Sequence, residues 1–444
     1  MNPDQLKYTN PTTHLPLCVV SCPIDTFSGY GARSRDFVKA LIQSKGEEWD
    51  IKIMPQMWGE CPWNFLSKND PLRRRFVDKL STTPNIWIQI TVPNEFQPIG
   101  KFNIGVSAGI ESTIYPGEFI EGSNRMDLNL VSSKHSKDVA LATQFTKNDQ
   151  KGEVVGEVKL VKPIEVLFEG LDLNKYNKKP QNSGLLNDIQ EDFCFLYTGH
   201  WLPGDLGEDR KNMGLMIKTF LETFKGSGKN KPALILKTNH INYSLLDRED
   251  ILKKINIIKE QIKDTLPNIY LLHGEMTDDE MNQLNNDNKV KVFLSFTKGE
   301  GYGRPLAEAA ITGKPVIVSN WSGHLDFIHP DYNILIGGEL KPIHPTAANQ
   351  FLLAESQWFN IDTAVARKAM KDVVRNYKGY FGKSRKQTQY LQDNWSFDKM
   401  VEKIDTLLIP PKHRDAPSPW VQNVPLNLPK LKKVEKKINL NELA

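Results

Sequence analysis

The chain has 444 residues, 39% hydrophobic and 25% charged, with four cysteines and a formal net charge of +4. That is the composition of a soluble globular protein, and the length accommodates two domains with a cleft between them. No apolar run approaches the roughly 18 residues of a membrane-crossing helix, so integral membrane association is not expected. The opening MNPDQLKYTNPTTH lacks the basic-then-apolar pattern of a signal peptide. Cys18, Cys22, Cys61 and Cys194 are too few and too scattered for a disulfide framework or a zinc site. Reduced thiols and a cytoplasmic location are therefore expected. The positive charge is local: from Pro411 onward, seven lysines and arginines face three acids, which accounts for the whole excess and leaves the body balanced.

Leu15 to Ile24 reads as an apolar strand, and Gly29 and Gly31 supply a tight turn before a helix from about Ala32 to Ile42. Further strands are expected at Ile51 to Met54 and Ile86 to Thr91. Between them, Met57 to Phe65 is dense in aromatics, including Trp58 and Trp63. Such a loop either stacks on a sugar or base or forms a satellite core cluster. Arg73, Arg74 and Arg75 read as the solvated face of a helix or as support for an extruded base. Glu111 and Ser112 follow Ile104-Gly105-Val106, where polar residues at a cleft edge would contact sugar and acceptor. A helix around Phe119 to Met126 precedes the strand Leu128 to Val131, and His135 reads as a helix-start or surface histidine. Ile164 to Phe168 is a short strand; Lys175 to Asp188, rich in Asn, Lys, Pro and Gly, is a linker.

Phe193 to Thr198 opens a second set of elements, and a helix from Met213 to Phe224 follows a loop that ends in Arg210 and Lys211. Two neighbouring cations suit a diphosphate. Leu234 to Lys237 is a strand whose terminal lysine is placed to reach the same pocket, and Ile269 to Leu272 is another strand. The densest pattern runs from Val292 to Phe327. A buried strand leads to Gly299, Gly301 and Gly303; Pro305 suits a first helical turn, Gly313 ends that helix, and Val316 to Val318 is the next strand. This is one βαβ unit, in which the amides of Gly301, Tyr302, Gly303 and Arg304 can meet anionic oxygen. Glu300 and Glu308 frame the turn. Amides between two carboxylates suit a ligand with both phosphate and hydroxyls, such as a nucleotide sugar. From there the chain reads as helices to Ser396.

The text EGYGRPLAE, from Glu300 to Glu308, resembles the E-x7-E motif of retaining glycosyltransferases with the GT-B fold. The flanking GKPVIVS and WSGHLDF stretches resemble the same family, as does Val166 to Asp172, where Leu171 replaces a valine. The resemblance covers Leu15 to Leu408. It implies an α/β protein of two Rossmann-like, doubly wound domains facing each other across a cleft. Residues 1–180 would receive the acceptor and residues 189–390 the nucleotide-sugar donor. Residues 391–410 would form a closing helix that crosses back to the first domain, and 411–444 a basic tail.

By the same likeness, Glu308 would bind the ribose hydroxyls and Glu300 would lie at the transferred sugar; Glu111, from its place at the cleft edge, is the second catalytic candidate. Gly29, Tyr30, Gly31, Arg210, Lys211, Lys237 and the turn from Gly301 to Arg304 would hold a UDP- or GDP-sugar, with the loop His273 to Thr277 around the base. His200 stands where many members have arginine. No cofactor or metal is expected, because two cations can replace a metal at the diphosphate. The N-terminal portion also resembles glycosyltransferases of tailed phages. That likeness implies a hydroxymethylated pyrimidine in DNA as acceptor; Ser112 and Trp58 are the acceptor-binding candidates, and the Lys430 to Lys437 cluster either holds a phosphate backbone, meets a membrane surface through Leu431, Val434 and Ile438, or is simply solvated. A cell-envelope glycan or lipid-linked sugar is the alternative acceptor. A nucleotide-sugar epimerase and a non-catalytic nucleotide-sugar-binding module are the readings from other classes.

Overall fold

The computed structural model describes residues 15–148, 154–179, 184–226, 228, 230–240 and 243–408. The basic tail and its Lys430 to Lys437 cluster lie outside the described residues. Two six-stranded sheets form the frame, each with every pairing parallel. Parallel pairing needs a long crossover between strands, so the apolar runs alternate with helices and are buried on both faces.

The first sheet uses β1 (Leu17–Cys22), β2 (Asp50–Pro55), β3 (Ile86–Ile90), β4 (Phe102–Val106) and β5 (Leu128–Val131). An antiparallel hairpin of β6 (Gln144–Asn148) and β7 (Val154–Lys159) comes before its edge strand, β8 (Ile164–Val166). The strand order is β2-β1-β3-β4-β5-β8. Helices α1 (Gly29–Lys45), α2 (Gly117–Asn124) and α3 (Lys134–Ala142) make crossovers.

The second domain alternates β9 (Cys194–Thr198), α4 (Met213–Phe224), β10 (Ala233–Lys237), α5 (Leu245–Glu260), β11 (Ile269–Leu272), α6 (Asp278–Asn286), β12 (Val290–Ser295), α7 (Arg304–Ala310), β13 (Val316–Ser319) and β14 (Ile334–Ile336). Its order, β11-β10-β9-β12-β13-β14, reverses direction between β9 and β12. Ligands of such sheets bind at the carboxyl ends beside that reversal. A hairpin, β15 (Gly338–Pro342) with β16 (Gln357–Ile361), and helices α8 (Thr363–Arg375), α9 (Phe381–Asn394) and α10 (Phe397–Leu407) follow.

Helix α10 belongs to the first domain's core, although it ends the described chain. Met400, Ile404 and Leu407 pack with Val20, Leu41 and Ile88 in one apolar cluster. The return is fixed at Leu171, whose amide donates to the Trp395 carbonyl at 2.9 Å and whose carbonyl accepts from the Phe397 amide at 2.7 Å.

Three local expectations differ from the structure. Helix α1 starts at Gly29, so Gly29 and Gly31 lie in its first turn rather than in a loop. Ser28 caps it by accepting from the Gly31 amide at 2.9 Å. Gly31 is required by packing instead, since a Cβ there would stand 2.3 Å from the Thr26 carbonyl oxygen. Arg73 to Arg75 are in a short 3-10 turn, Pro71–Arg75, not on a solvated helix. Arg73 donates to the Ser67 and Leu66 carbonyls and pairs with Asp25, and Arg75 donates to the Ile51 carbonyl. Lastly, β14, β15 and β16 occupy a stretch expected to be helical.

Candidate active site

The loops after β9 and β12, on either side of the second sheet's reversal, bring Arg210, Lys211 and Glu300 together. Lys211 Nζ donates to Glu300 Oε1 at 2.6 Å, and Arg210 Nη1 reaches Glu300 Oε2 at 3.3 Å. Arg210 Nη1 also donates to the Gly299 carbonyl at 2.8 Å, which fixes the guanidinium against the glycine turn. Glu111 arrives from the loop after β4 of the other domain, 3.5 Å from Arg210 Nη2. Two carboxylates and two cations therefore meet where the domains face each other.

Their charges are interdependent. Burial opposes ionisation of Glu300, but Lys211 and then Arg210 outweigh it and bring the carboxyl down to about 2. Burial, with Arg210, brings Lys211 below its ordinary value against the opposing pull of Glu300. Buried polar atoms without partners gather nearby: Thr198 Oγ1 at the end of β9, Thr238 Oγ1 just past β10, both amide atoms of Asn212 beside Lys211, and His324 Nδ1. Unpaired groups of this kind are costly unless a ligand or water meets them.

The glycine turn sits directly against the first domain. A Cβ on Gly299 would be 2.0 Å from the Glu111 carbonyl oxygen, and one on Gly301 would be 2.1 Å from that of Ala108. Ser132 Oγ is 3.0 Å from the Gly301 carbonyl oxygen. The Thr113 amide donates to the Gln357 carbonyl at 3.0 Å, and the Lys134 amide to Asp326 at 2.7 Å. Gly303 has a φ of +99° at the start of α7, a conformation that suits glycine. The amides of Gly301, Tyr302, Gly303 and Arg304 have no acceptor among the described residues.

Glu308 does not face outward beside the turn. It is buried, and Arg304 Nε donates to its Oε1 at 2.8 Å. Burial raises its pKa to about 7; Arg304 opposes that rise, while Asp278 and Asp36 add to it. Arg304 cannot neutralise Glu308 fully because it also pairs with Asp36 of α1 and lies 3.9 Å from Glu169. Asp36 and Glu169 are site residues that sequence reasoning missed. Glu169 stood inside a recognised segment, but nothing local linked either acid to Arg304.

The other expected residues have mixed placements. Tyr30 Oη accepts from the Ala108 amide at 3.0 Å, and its ring stacks on Trp58 at 4.2 Å. Gly29 borders open space. Lys237 donates to the Gly274 carbonyl, in the loop after β11, at 2.5 Å. The Tyr302 side chain is buried and donates to the Glu169 carbonyl at 2.8 Å. Ser112 is fully buried, its hydroxyl 3.4 Å from the Ile114 carbonyl oxygen, which removes it from an acceptor surface. His135, set aside on sequence, packs edge to face on Trp321 of the other domain, with ring centroids 4.7 Å apart. Its buried Nε2 has no partner, and burial followed by His324 lowers its pKa to about 4.

No protein-family model matches this sequence, and no curated protein sequence matches it. Solved structures do match the fold. HepE of Anabaena, in complex with UDP and glucose, is 12% identical with a TM-score of 0.59 over 88% of this chain and 99% of that one. A glycosyltransferase from Rickettsia africae is 11% identical, with a TM-score of 0.56 over 88% and 97%. Sucrose-phosphate synthase from Thermosynechococcus elongatus is 11% identical, with a TM-score of 0.55 over 89% and 98%. With two parallel-sheet, Rossmann-like domains meeting at their carboxyl ends, the chain has the GT-B fold.

Proposed function

We propose that the protein is a glycosyltransferase that moves a sugar from a nucleotide sugar, UDP-linked in the first instance, to a hydroxyl acceptor. The observation that carries this reading is the meeting of Arg210, Lys211, Glu300 and Glu111 beside the sheet reversal. Arg210 and Lys211 offer two charge-assisted contacts to a diphosphate. The partnerless amides from Gly301 to Arg304 offer further donors to the same group. Glu308, once released from Arg304, has two oxygens for the two ribose hydroxyls. Complexes of HepE with UDP favour the uridine donor over GDP.

Retention of configuration is what the likeness of the stretch Glu300 to Glu308 implies, and the way Glu300 is held argues against a covalent route to it. Its two oxygens are engaged by two cations, so it orients groups rather than standing free to attack the sugar. The acceptor hydroxyl then approaches the anomeric carbon on the face the diphosphate leaves. The new C–O bond forms as the bond to phosphate breaks, and the hydroxyl proton passes to the departing phosphate oxygen. The cationic pair takes up the charge on that leaving group, the role a metal ion plays elsewhere, so transfer is expected to proceed in a chelator.

Of the acceptors suggested by sequence, DNA loses support from Arg73 and Arg75, which are bonded into the fold. The test is to incubate the protein with UDP- and GDP-glucose in EDTA and follow nucleotide release with and without acceptor. The anomeric configuration of any product is then read by NMR. Nucleotide release from UDP-glucose that increases with acceptor supports the reading. No turnover and no UDP binding would overturn it, and an inverted product would overturn retention.

A further inference from the structure

Exposed aromatic rings concentrate at one place on the first domain. Phe27 is 42% exposed and Phe65 39%, and the two rings meet edge to face at 5.1 Å. Trp58 and Trp63, on the same loop as Phe65, are half-buried, and their indole N–H groups have no acceptor among the described residues. The ledge is braced from below. The Phe27 amide donates to the Pro62 carbonyl at 3.0 Å and the Phe65 amide to the Asp25 carbonyl at 3.0 Å. The Asp25 carboxylate accepts from the Leu66 amide at 2.8 Å and pairs with Arg73 at 2.9 Å. These rings are held in place before any ligand arrives.

The ledge also leads into the proposed transfer centre. Trp58 stacks on Tyr30, and Tyr30 Oη holds the amide of Ala108, in the loop that carries Glu111. A ligand on Trp58 would thus lie toward the first-domain loop that carries Glu111.

The charge of this surface selects among acceptors. Arg35 lies 3.4 Å under the Phe65 ring and donates to the Ile24 and Thr26 carbonyls. With Arg73 and Arg75 also engaged, the exposed charges between residues 56 and 75 are Lys68, Arg74 and Glu60. A nucleic acid needs a row of free cations for its phosphates, and between residues 56 and 75 this surface offers two, Lys68 and Arg74, beside Glu60. A pyranose ring needs an apolar face for its C–H groups and donors for its hydroxyls at the rim, which the rings and indole N–H groups supply.

We propose that the ledge of Phe27, Trp58, Trp63 and Phe65 is the acceptor subsite, and that the acceptor is a neutral carbohydrate chain with one ring seated on these aromatics. This rests on the glycosyltransferase reading, so the experiment separates the two. UDP affinity is measured by calorimetry for the wild type, Phe65→Ala and Trp63→Ala. Saturation-transfer NMR then follows binding of maltopentaose, cellopentaose, chitopentaose and a duplex containing hydroxymethylcytosine. UDP affinity within twofold of wild type in both variants shows that the fold and donor site are intact. Binding of at least one oligosaccharide, weakened about tenfold in each variant, supports the ledge. The proposal is overturned if no oligosaccharide binds, if both variants bind it as the wild type does, or if the duplex alone binds. Failure of the wild type to bind UDP would count against the donor reading and leave the oligosaccharide result to be judged on its own.

Discussion

Removing Lys211 would leave Glu300 a buried carboxylate with Arg210 as its remaining cationic partner and take one donor from the proposed diphosphate site. Lys211→Ala is therefore expected to lower kcat/KM for a UDP-sugar roughly 100- to 1000-fold, measured by nucleotide release; a loss below threefold would remove Lys211 from the donor site. Glu308 makes a pH prediction. Its folded pKa of about 7 lies above its ordinary value of 4.5. The stability it contributes is therefore complete below the ordinary value and lost as pH rises through about 7. On the proposed ribose role, ionisation over the same range would prepare it to accept two hydroxyls. We expect kcat/KM in the free enzyme to rise through a limb near pH 7, and Glu308→Gln to abolish that limb. A limb unchanged in the variant would assign the titration to another group. At this scale the sequence was most informative where chemistry is local. Glu300, Gly301, Gly303 and Glu308 stand in one nine-residue stretch, and Arg210 and Lys211 are adjacent. Asp36 reaches Arg304 across 268 positions, and no spacing rule announces such a pair.

Among elements, α10 shows how a short segment can serve a distant core. Met400 is 3% exposed, and its Sδ accepts from the Gly170 amide at 3.3 Å. Met400→Ala should destabilise the protein by about 2–5 kcal/mol, read from the denaturant midpoint; a shift under 0.5 kcal/mol, roughly the limit for surface changes, would mean that α10 is not integral to that core. Strands of the two parallel sheets were legible because burial on both faces leaves continuous apolar runs such as Val316-Ile317-Val318. The hairpin β15–β16 was not. β15 reads Gly-Glu-Leu-Lys-Pro, exposed at four of its five positions, so no apolar run marks it. The α1 start was misplaced for another reason: Gly29 and Gly31 suggest a turn by type, and only the Ser28 cap and the nearby Thr26 carbonyl show them to be helical.

Across the whole molecule, the two domains touch with little space between their facing loops, and Arg304 spans the junction by holding Asp36 on one side and Glu308 on the other. Arg304 holds Oε1 of Glu308, so on the proposed ribose role the arginine and a ribose hydroxyl would share that oxygen. On the proposed donor reading, the protein's own arginine competes with the nucleotide for Glu308. Apparent donor affinity is then the intrinsic affinity scaled by the fraction of molecules in which the junction has parted. Asp36→Asn, which weakens the junction on the side away from the nucleotide, should enlarge that fraction. Stopped-flow measurement should show UDP associating several-fold faster, and small-angle scattering should show a larger radius of gyration for the empty protein. If neither quantity changes, the junction is not what the donor waits for. If both do, catalytic throughput in this protein is set partly by how often it opens, and an acid on α1, remote from the reacting atoms, becomes a control over its rate.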